Sequence, residues 1–522
     1  MSATRRPRDL LRRLNPGQRR WGGAGLVAGV ALASVLVSLA GKAASPSASS
    51  ATDCGGPNRL TVATGADITA GSFRRDLIEE WNRTHTTQVT LVEVADRTDE
   101  ERAEMAGRAR LGSCAYDVFS VDVAWMAEFA RSGYIREYPL GPKDAASFVG
   151  NVLRAGQVGG VQYAVPFVTD VPLLFYRSDV RLPTTTEQLW EYAGKYGGYA
   201  VQLGDYEGGT VNLLEAIRSM KGKVTDGERI VLDEGENGER VREALSRWHA
   251  MLVRGTLAHG AEDFSKEDTF TTFRNGFLAR ESKSSVEESS LQAFRDDDVA
   301  YMRNWPFAFH RLATDRSMYD DRRRPRFKIA ALPGATAAQP GVGILGGFNL
   351  AISTHSDNPG KARMLIDFLT GHDAQMKLFA CSGYPPVLES VYREYRDNPR
   401  TCAQLLASRG TGDGATTGAG GTGSGTSGED IEITAGMLQD LADKIYQGIR
   451  KAEMRPEYPY YSVFSEVFRA CARAVVTGDL LAEELDLARL ADALRDARQG
   501  RAPEDTVASL AHCGKPEGRQ GQ

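Results

Sequence analysis

Apolar positions along the chain fall into short runs separated by amphipathic stretches. Residues 60–64 form one run, followed by Gly65-Ala66-Asp67 and a helical pattern over 72–83. Residues 88–94 form a second run. Thr98 and Glu101 then stand in the spacing of a capping box and predict a helix ending near Leu111. Residues 116–121 form a third run, closed by Asp122 and Trp125. Strand, helix, strand, helix, strand predicts a parallel sheet with right-handed crossovers, and Asp67 and Asp122 then sit at its carboxyl edge. Capping a helix is the ordinary task for either aspartate taken singly.

The middle of the chain continues the pattern. Tyr163 to Phe167 leads through Asp170 to an apolar run at 171–176, and Thr184 with Glu187 forms a second capping box. A strand at 200–203 is followed by Gly204-Asp205-Tyr206-Glu207-Gly208-Gly209 and a helix through Met220. Glycines there let backbone approach a ligand while Tyr206 and Glu207 project into it. Glu287 and Glu288 open a helix to Phe294. Residues 299–302 read as an apolar strand, followed at once by Arg303, Asn304 and Trp305 and stopped by Pro306, which has no N–H for a ladder. A flat aromatic and two hydrogen-bonding side chains thus sit at a strand's carboxyl end, where open α/β sheets bind ligands. Such a group suits a sugar ring, with its apolar C–H faces and rim of hydroxyls. A core tryptophan before a structural proline is the plainer alternative. Residues 327–332 form another strand, and 344–350 repeat the theme of glycine, aromatic and amide around Gly347, Phe348 and Asn349. Asn358 and Pro359 start a helix that Gly371 ends. The run from Arg455 to Tyr461 precedes a helix through Val476, and 480–497 is a last amphipathic helix.

Composition narrows the class. At 522 residues, 42% hydrophobic and 25% charged, the chain exceeds one ordinary core and predicts two lobes or more. A net charge of −5 without a basic domain argues against a nucleic-acid partner. At the start, Arg5, Arg6, Arg8, Arg12, Arg13, Arg19 and Arg20 precede the uncharged stretch 21–41. That stretch is long enough to span a bilayer, with the arginines holding its N-side in the cytoplasm. It reads as an uncleaved anchor over 21–42 behind a basic cytoplasmic segment, 1–20, or as a signal peptide with a poor cleavage site, Gly41-Lys42-Ala43. Either reading puts the remainder outside, on a stalk over 43–57 rich in Ala and Ser near its start. Residues 407–428, nearly all Gly, Thr, Ser and Ala, read as a disordered insertion.

All six cysteines, Cys54, Cys114, Cys381, Cys402, Cys471 and Cys513, fall in the exported part and predict three disulfides. Strand order 2-1-3 would bring the starts of the first and third strands to one edge, which favours Cys54 with Cys114. Cys381 with Cys402 and Cys471 with Cys513 are local choices among the possible connectivities. No CxxC or HExxH occurs and the seven histidines are scattered, so neither a metal site nor a cofactor is expected.

Taken together, the ordered segments resemble a family. They are Tyr116-Asp117-Val118 with Asp122 and Ala127-Glu128-Phe129; Pro166-Phe167 with Asp170 and Tyr176; Tyr206-Glu207-Gly208; Met302 to Pro306; Gly346 to Ile352; and Arg455-Pro456 with Pro459-Tyr460-Tyr461. From about Leu60 to about Arg495 the chain resembles the extracellular solute-binding proteins of carbohydrate ABC importers, the maltose- and trehalose-binding group in particular. The resemblance implies an α/β, two-lobed, periplasmic-binding-protein-like fold of type II, with parallel-sheet lobes joined by crossover hinge segments. The N-terminal lobe would take 58–168 with 306–355, and the C-terminal lobe 169–305 with 356–515. It also implies hydroxyl-binding roles for Asp67, Asp122, Asp170, Glu207, Glu287 and Arg455, with Tyr206 beside them. Trp305 resembles the stacking platform, with the Gly347 backbone close to the ligand. Three departures stand out: Phe348 occupies a position where a tryptophan is usual, the lipid-attachment cysteine is absent, and the Gly-rich insertion is extra. The implied partners are a carbohydrate ligand, ABC permease subunits, and the membrane through the N-terminal segment. Two other readings share these residues. A membrane-tethered sensor of the same fold would use the same cleft, and a secreted glycosidase would need two carboxylates across it.

Overall fold

The computed structural model describes Cys54 and residues 56–67, 69–95, 98–263, 290–339, 341–407, 431–503 and 510–514. The basic segment, the uncharged stretch, most of the stalk, Glu287 and nearly all of the Gly-rich insertion lie outside the described residues. The fold is that of the unit Gly55–Gln522.

Two sheets are built from β1 (Arg59–Thr64), β2 (Gln88–Glu93), β3 (Val118–Asp122), β4 (Val165–Asp170), β5 (Leu173–Arg177), β6 (Tyr199–Ala200), β7 (Tyr301–Asn304), β8 (Phe327–Ala330) and β9 (Gly346–Ile352). The first sheet has the order β2-β1-β3-β9-β4 and the second β8-β5-β7-β6. β1 runs parallel to β2 and β3, with α1 (Phe73–Thr84) and α2 (Thr98–Arg110) as crossovers. β9 is antiparallel to both its neighbours, and β5 is antiparallel to β8 and β7. Both sheets are therefore mixed rather than purely parallel. The reason is connectivity: β4 passes directly into β5, and the segment after β8 returns directly into β9, so each crossing strand enters against its neighbours.

The sheets divide the chain differently from the sequence expectation. β8 pairs along β5, from Phe327 opposite Arg177 to Ala330 opposite Leu174, so it belongs to the second lobe. Residues 356–407 pack instead on the first. The Tyr138 hydroxyl donates to Asp367 at 2.9 Å, the Gln375 amide donates to the Phe167 carbonyl at 2.8 Å, and Ser382 accepts from the Phe73 N–H. An apolar strand carries no label for its sheet, so only packing decides. Two further helices of the second lobe are α3 (Thr186–Tyr196) and α4 (Glu207–Ser219), and α5 (Gly235–Val253) lies beside α4. Of the C-terminal helices, α6 (Ala435–Ile449) covers β5 and β8, while α7 (Tyr461–Thr477) packs on α4 and α5.

Local signals are obeyed with small shifts. The cap of α3 is Thr185, which accepts from the Gln188 N–H at 3.1 Å, while Gln188 reaches back to the Thr184 N–H at 2.9 Å. The box is thus one residue later than Thr184 and Glu187 suggested. Arg303 and Asn304 lie inside β7, not beyond it, opposite Leu174 and Leu173. A charged residue can occupy that buried strand because Glu215 accepts two hydrogen bonds from its guanidinium, at 3.0 Å each.

Cys381 is bonded to Cys402 and Cys471 to Cys513, Cys54 and Cys114 are also disulfide-bonded, and no cysteine among the described residues is free. Among the described residues no helix is long and apolar enough to cross a membrane.

One buried histidine makes the fold acid-sensitive. His310 is 1% exposed and its Nε2 donates to the Ala380 carbonyl at 3.1 Å; burial pushes its pKa down from 6.5 to about 4, against that hydrogen bond, which raises it. The unfolded chain therefore binds this proton first as pH falls. The contribution is full above 6.5 and is lost as pH falls from 6.5 through about 4, on the order of 3 kcal/mol. His310→Gln should flatten urea-derived stability over that window by about this amount. An unchanged slope would show that other groups dominate.

Candidate ligand-binding site

The carboxyl ends of three strands converge where the lobes meet. Asp122 is the last residue of β3 and Asp170 the last of β4, while Trp305 immediately follows β7. β9 begins at the same edge because it is antiparallel, so Gly346 pairs opposite Asp170 and Phe348 opposite Asp122. Tyr206 and Glu207 open α4, where a carboxylate suits the positive end of the helix dipole. Arg455 arrives on the segment between α6 and α7. That segment is held to the crossover before β9, since the Glu453 N–H donates to Gly343 and its carbonyl accepts from Leu345.

These elements enclose a pocket with about 440 Å³ of empty space, its open mouth included. Eight of the ten residues singled out from the sequence line it: Asp122, Asp170, Tyr206, Glu207, Trp305, Gly347, Phe348 and Arg455. Thr98, Gly208, Val211, Ile344 and Gly346 complete its wall. Three aromatic faces thus stand among three carboxylates and one guanidinium. Residues of both lobes are bonded across it through Arg455, so the lobes are shut on each other.

Arg455 ties the lobes together. Its side chain is 4% exposed, and it donates to Asp122 of the first lobe at 2.9 Å and to Glu207 of the second at 2.7 Å. Burial alone would depress the Arg455 pKa; the charges of Asp122 and Glu207 outweigh it and raise the pKa instead. Glu207 also accepts from the Tyr461 hydroxyl at 2.8 Å and from Ser465 at 2.5 Å. Burial first, then Glu207, drive the Tyr461 pKa well above 10, which keeps its hydroxyl a donor. Arg469 extends the network, donating to Asp205 at 2.6 Å and to Thr210 at 3.1 Å. Asp122 has a second task, accepting from the Ala124 N–H at 2.8 Å as a helix cap. Capping and ion pairing are here one carboxylate's work.

Trp305 is 7% exposed, and its other neighbour is cationic: the Arg303 guanidinium lies 4.1 Å from the ring centroid. Asn304 turns back on the chain and accepts from the Trp305 N–H at 2.9 Å. Arg303 and Asn304 therefore position Trp305 and do not line the pocket. Gly347 is required by its own strand pair. At φ +122° a Cβ would sit 2.3 Å from the Val168 carbonyl oxygen, so the close approach is to β4. Gly209 likewise fits against the Gly204 carbonyl, which a Cβ would meet at 2.1 Å.

Two of the ten candidates are not among these lining residues. Glu287 lies outside the described residues. Asp67 does not line the pocket; it accepts from Thr69 and from the Tyr384 hydroxyl and pairs with Arg74 at 3.2 Å. Burial raises its pKa, but Arg74 and these hydrogen bonds pull it down by more. Asp67 thus ties the loop after β1 to residue 384. Ser465 and Arg469, conversely, are members of the network that sequence reasoning missed. Tyr461, Ser465 and Arg469 recur every four residues, one face of a helix, and that spacing was the available signal. Among the described residues, Cys471, His512 and Cys513 group as metal ligands might, but the two sulfurs are bonded to each other.

Comparison with known proteins agrees with this architecture. A probable ABC transporter-binding protein of Deinococcus radiodurans is 25% identical over 337 residues, 60% of this chain and 73% of that one. Solved structures of the same fold include maltose-bound MalE3 of T. maritima, with a TM-score of 0.61 at 21% identity over 87% of this chain and 99% of that chain. The GacH receptor of Streptomyces glaucescens, solved unliganded and with acarbose, gives a TM-score of 0.63 at 18% identity, over 84% and 98%. A solute-binding protein of Thermotoga lettingae bound with α-D-tagatose gives 0.63 at 18%, over 85% and 100%. The fold is thus the two-lobed type II binding-protein fold. The sequence model of the bacterial extracellular solute-binding proteins matches residues 76–401, well over half of the chain, and the chain belongs to that family.

Proposed function

We propose that this protein binds a sugar or short oligosaccharide between its lobes and delivers it to the permease of an ABC importer at the outer face of the cytoplasmic membrane. The observation that carries the reading is the composition of the cleft wall. Trp305, Phe348 and Tyr206 offer flat apolar faces, and Asp122, Asp170, Glu207 and Arg455 offer charged hydrogen-bonding groups at their rim. That combination fits a ring with apolar faces and hydroxyl edges, because charge-assisted bonds to hydroxyls are short and strong. The solved relatives described with maltose, acarbose and α-D-tagatose support the same class of ligand. A binder without catalysis fits better than a glycosidase, since Asp122 and Glu207 already share one guanidinium. The N-terminal uncharged stretch would hold the protein at the membrane.

Entry of a sugar requires the lobes to part. The crossovers Asp170 to Leu173 and Ile344 to Gly346 lie side by side, and bending there would open the cleft as a hinge. A thermal-shift screen of mono- and disaccharides tests the reading, because a bound ligand stabilises by mass action. With the best sugar, Trp305→Ala and Asp170→Asn should each weaken binding by about 1–3 kcal/mol, roughly 5- to 150-fold by calorimetry. Unchanged affinity of the folded fraction in both variants would remove the cleft assignment.

A further inference from the structure

Glu215 stands one step behind the cleft wall. It lies on α4 beyond Glu207, about 12 Å further along the helix at the usual rise per residue. Its side chain is 6% exposed and does not line the cleft, yet its hydrogen bonds lead towards that wall. Oε2 accepts from the Arg303 Nε and Oε1 from the Arg303 Nη2, at 3.0 Å each. The same Oε1 accepts from the Ile344 N–H at 3.0 Å. Ile344 lines the cleft on the crossover before β9. Trp305 lines it too, and the Arg303 guanidinium lies 4.1 Å from the centroid of its ring.

Stability alone does not account for this pair, because apolar residues of similar volume are often as stable as a buried ion pair. What the pair supplies beyond that is direction. Two hydrogen bonds from one edge of a guanidinium to one carboxylate fix its plane. The Trp305 ring thus rests on a cation whose own position is set by Glu215. The crossover is held by the same carboxylate, so bending that draws Ile344 off Oε1 also disturbs the group that orients Arg303. We infer that Glu215 is a positioning residue for the ligand: through Arg303 it orients the stacking face of Trp305, and through Ile344 it ties that orientation to the crossover between the lobes. The effect on affinity rests on the sugar reading of the cleft, whereas the orientation of the ring is measurable without a sugar.

The test uses the full-length chain labelled with 5-fluorotryptophan, with Trp305→Phe identifying the Trp305 signal. Without sugar, Glu215→Gln should shift or broaden that fluorine signal and leave the signal of Trp81, in the first lobe, in place. With maltose as the probe, calorimetry should show Glu215→Gln weakening binding about 5- to 10-fold in the otherwise intact chain, the worth of one good hydrogen bond. In the Trp305→Ala background the same change should cost less than about 2-fold, because no ring remains to be oriented. A role confined to stability would leave the Trp305 signal unmoved and would act equally in both backgrounds. Arg303→Lys keeps a charge beside Glu215 but lacks the fixed plane; it should repeat both effects and serves where Glu215→Gln does not fold. An unmoved Trp305 signal, or equal losses of affinity with and without Trp305, would overturn the proposal. If maltose does not bind the intact chain, that result counts against a maltose-type ligand in the cleft, while a moved Trp305 signal still supports the positioning role.

Discussion

Arg455→Met should lower the unfolding free energy by about 3–5 kcal/mol, because it strands two carboxylates that are both buried. Asp122 is left with the Ala124 N–H, and Glu207 with the Tyr461 and Ser465 hydroxyls. Those are neutral donors, weaker than the guanidinium they would have to replace. The loss should be mostly recovered in the triple variant Arg455→Met, Asp122→Asn, Glu207→Gln, where no charge remains to be desolvated. Urea unfolding followed by circular dichroism measures both. A loss below about 1 kcal/mol in the single variant would mean that water reaches the network and screens it as at an exposed site. Since Arg455 spans the two lobes, the same change should also loosen the shut arrangement of the cleft, seen as an increase in radius of gyration by small-angle scattering.

Glu215→Ala is expected to be as damaging, about 3–5 kcal/mol, for a related reason at a deeper site. Arg303 lies in the middle of β7 and has its Nη1 already unpartnered, so losing Glu215 removes both of the hydrogen bonds its Nε and Nη2 make. The Ile344 N–H on the crossover before β9 loses its acceptor as well, at 3.0 Å in the intact protein. Glu215→Gln retains an oxygen for one of these donors and should cost distinctly less. Equal losses in the two variants would show that shape, and not charge, is what Glu215 supplies. Hydrogen exchange at Ile344 adds a local readout: its protection should fall in Glu215→Ala before global unfolding, since the crossover would open by itself.

Both predictions rest on charged residues inside the protein, and these were the hardest positions to read in advance. Arg303 and Asn304 follow an apolar run and look like the start of a loop. Their strand conformation depends on Glu215, distant in the chain, whose presence no local pattern announces. Asp67 resembles Asp122, each an aspartate after a strand at the same sheet edge. Arg74 and Tyr384 claim the first, and Arg455 claims the second, so one is consumed by the scaffold while the other faces the cleft.

What the sequence determined by itself is local or nearly so. The runs at 60–64 and 88–94, the helix starting at Thr98, and the helix beginning at Pro359 form as expected. Each depends on side-chain period, a cap or a proline within a few residues. The order β2-β1-β3 also follows, because two short crossovers of fixed hand leave little choice. The convergence of eight candidate residues on one pocket was legible for the same reason: they sit at strand ends and a helix start, and those ends meet at one sheet edge. Tertiary structure decided what sequence distance hides. It assigned Phe327–Ala330 to the second sheet and residues 356–407 to the first lobe, and it turned β9 antiparallel. It also joined Asp122 to Glu207 through Arg455, which stands 333 and 248 positions from them in the chain. Strand pairing and charge burial are settled by the sum of all neighbours available to a group once the chain is compact, and that sum exists only in the folded state.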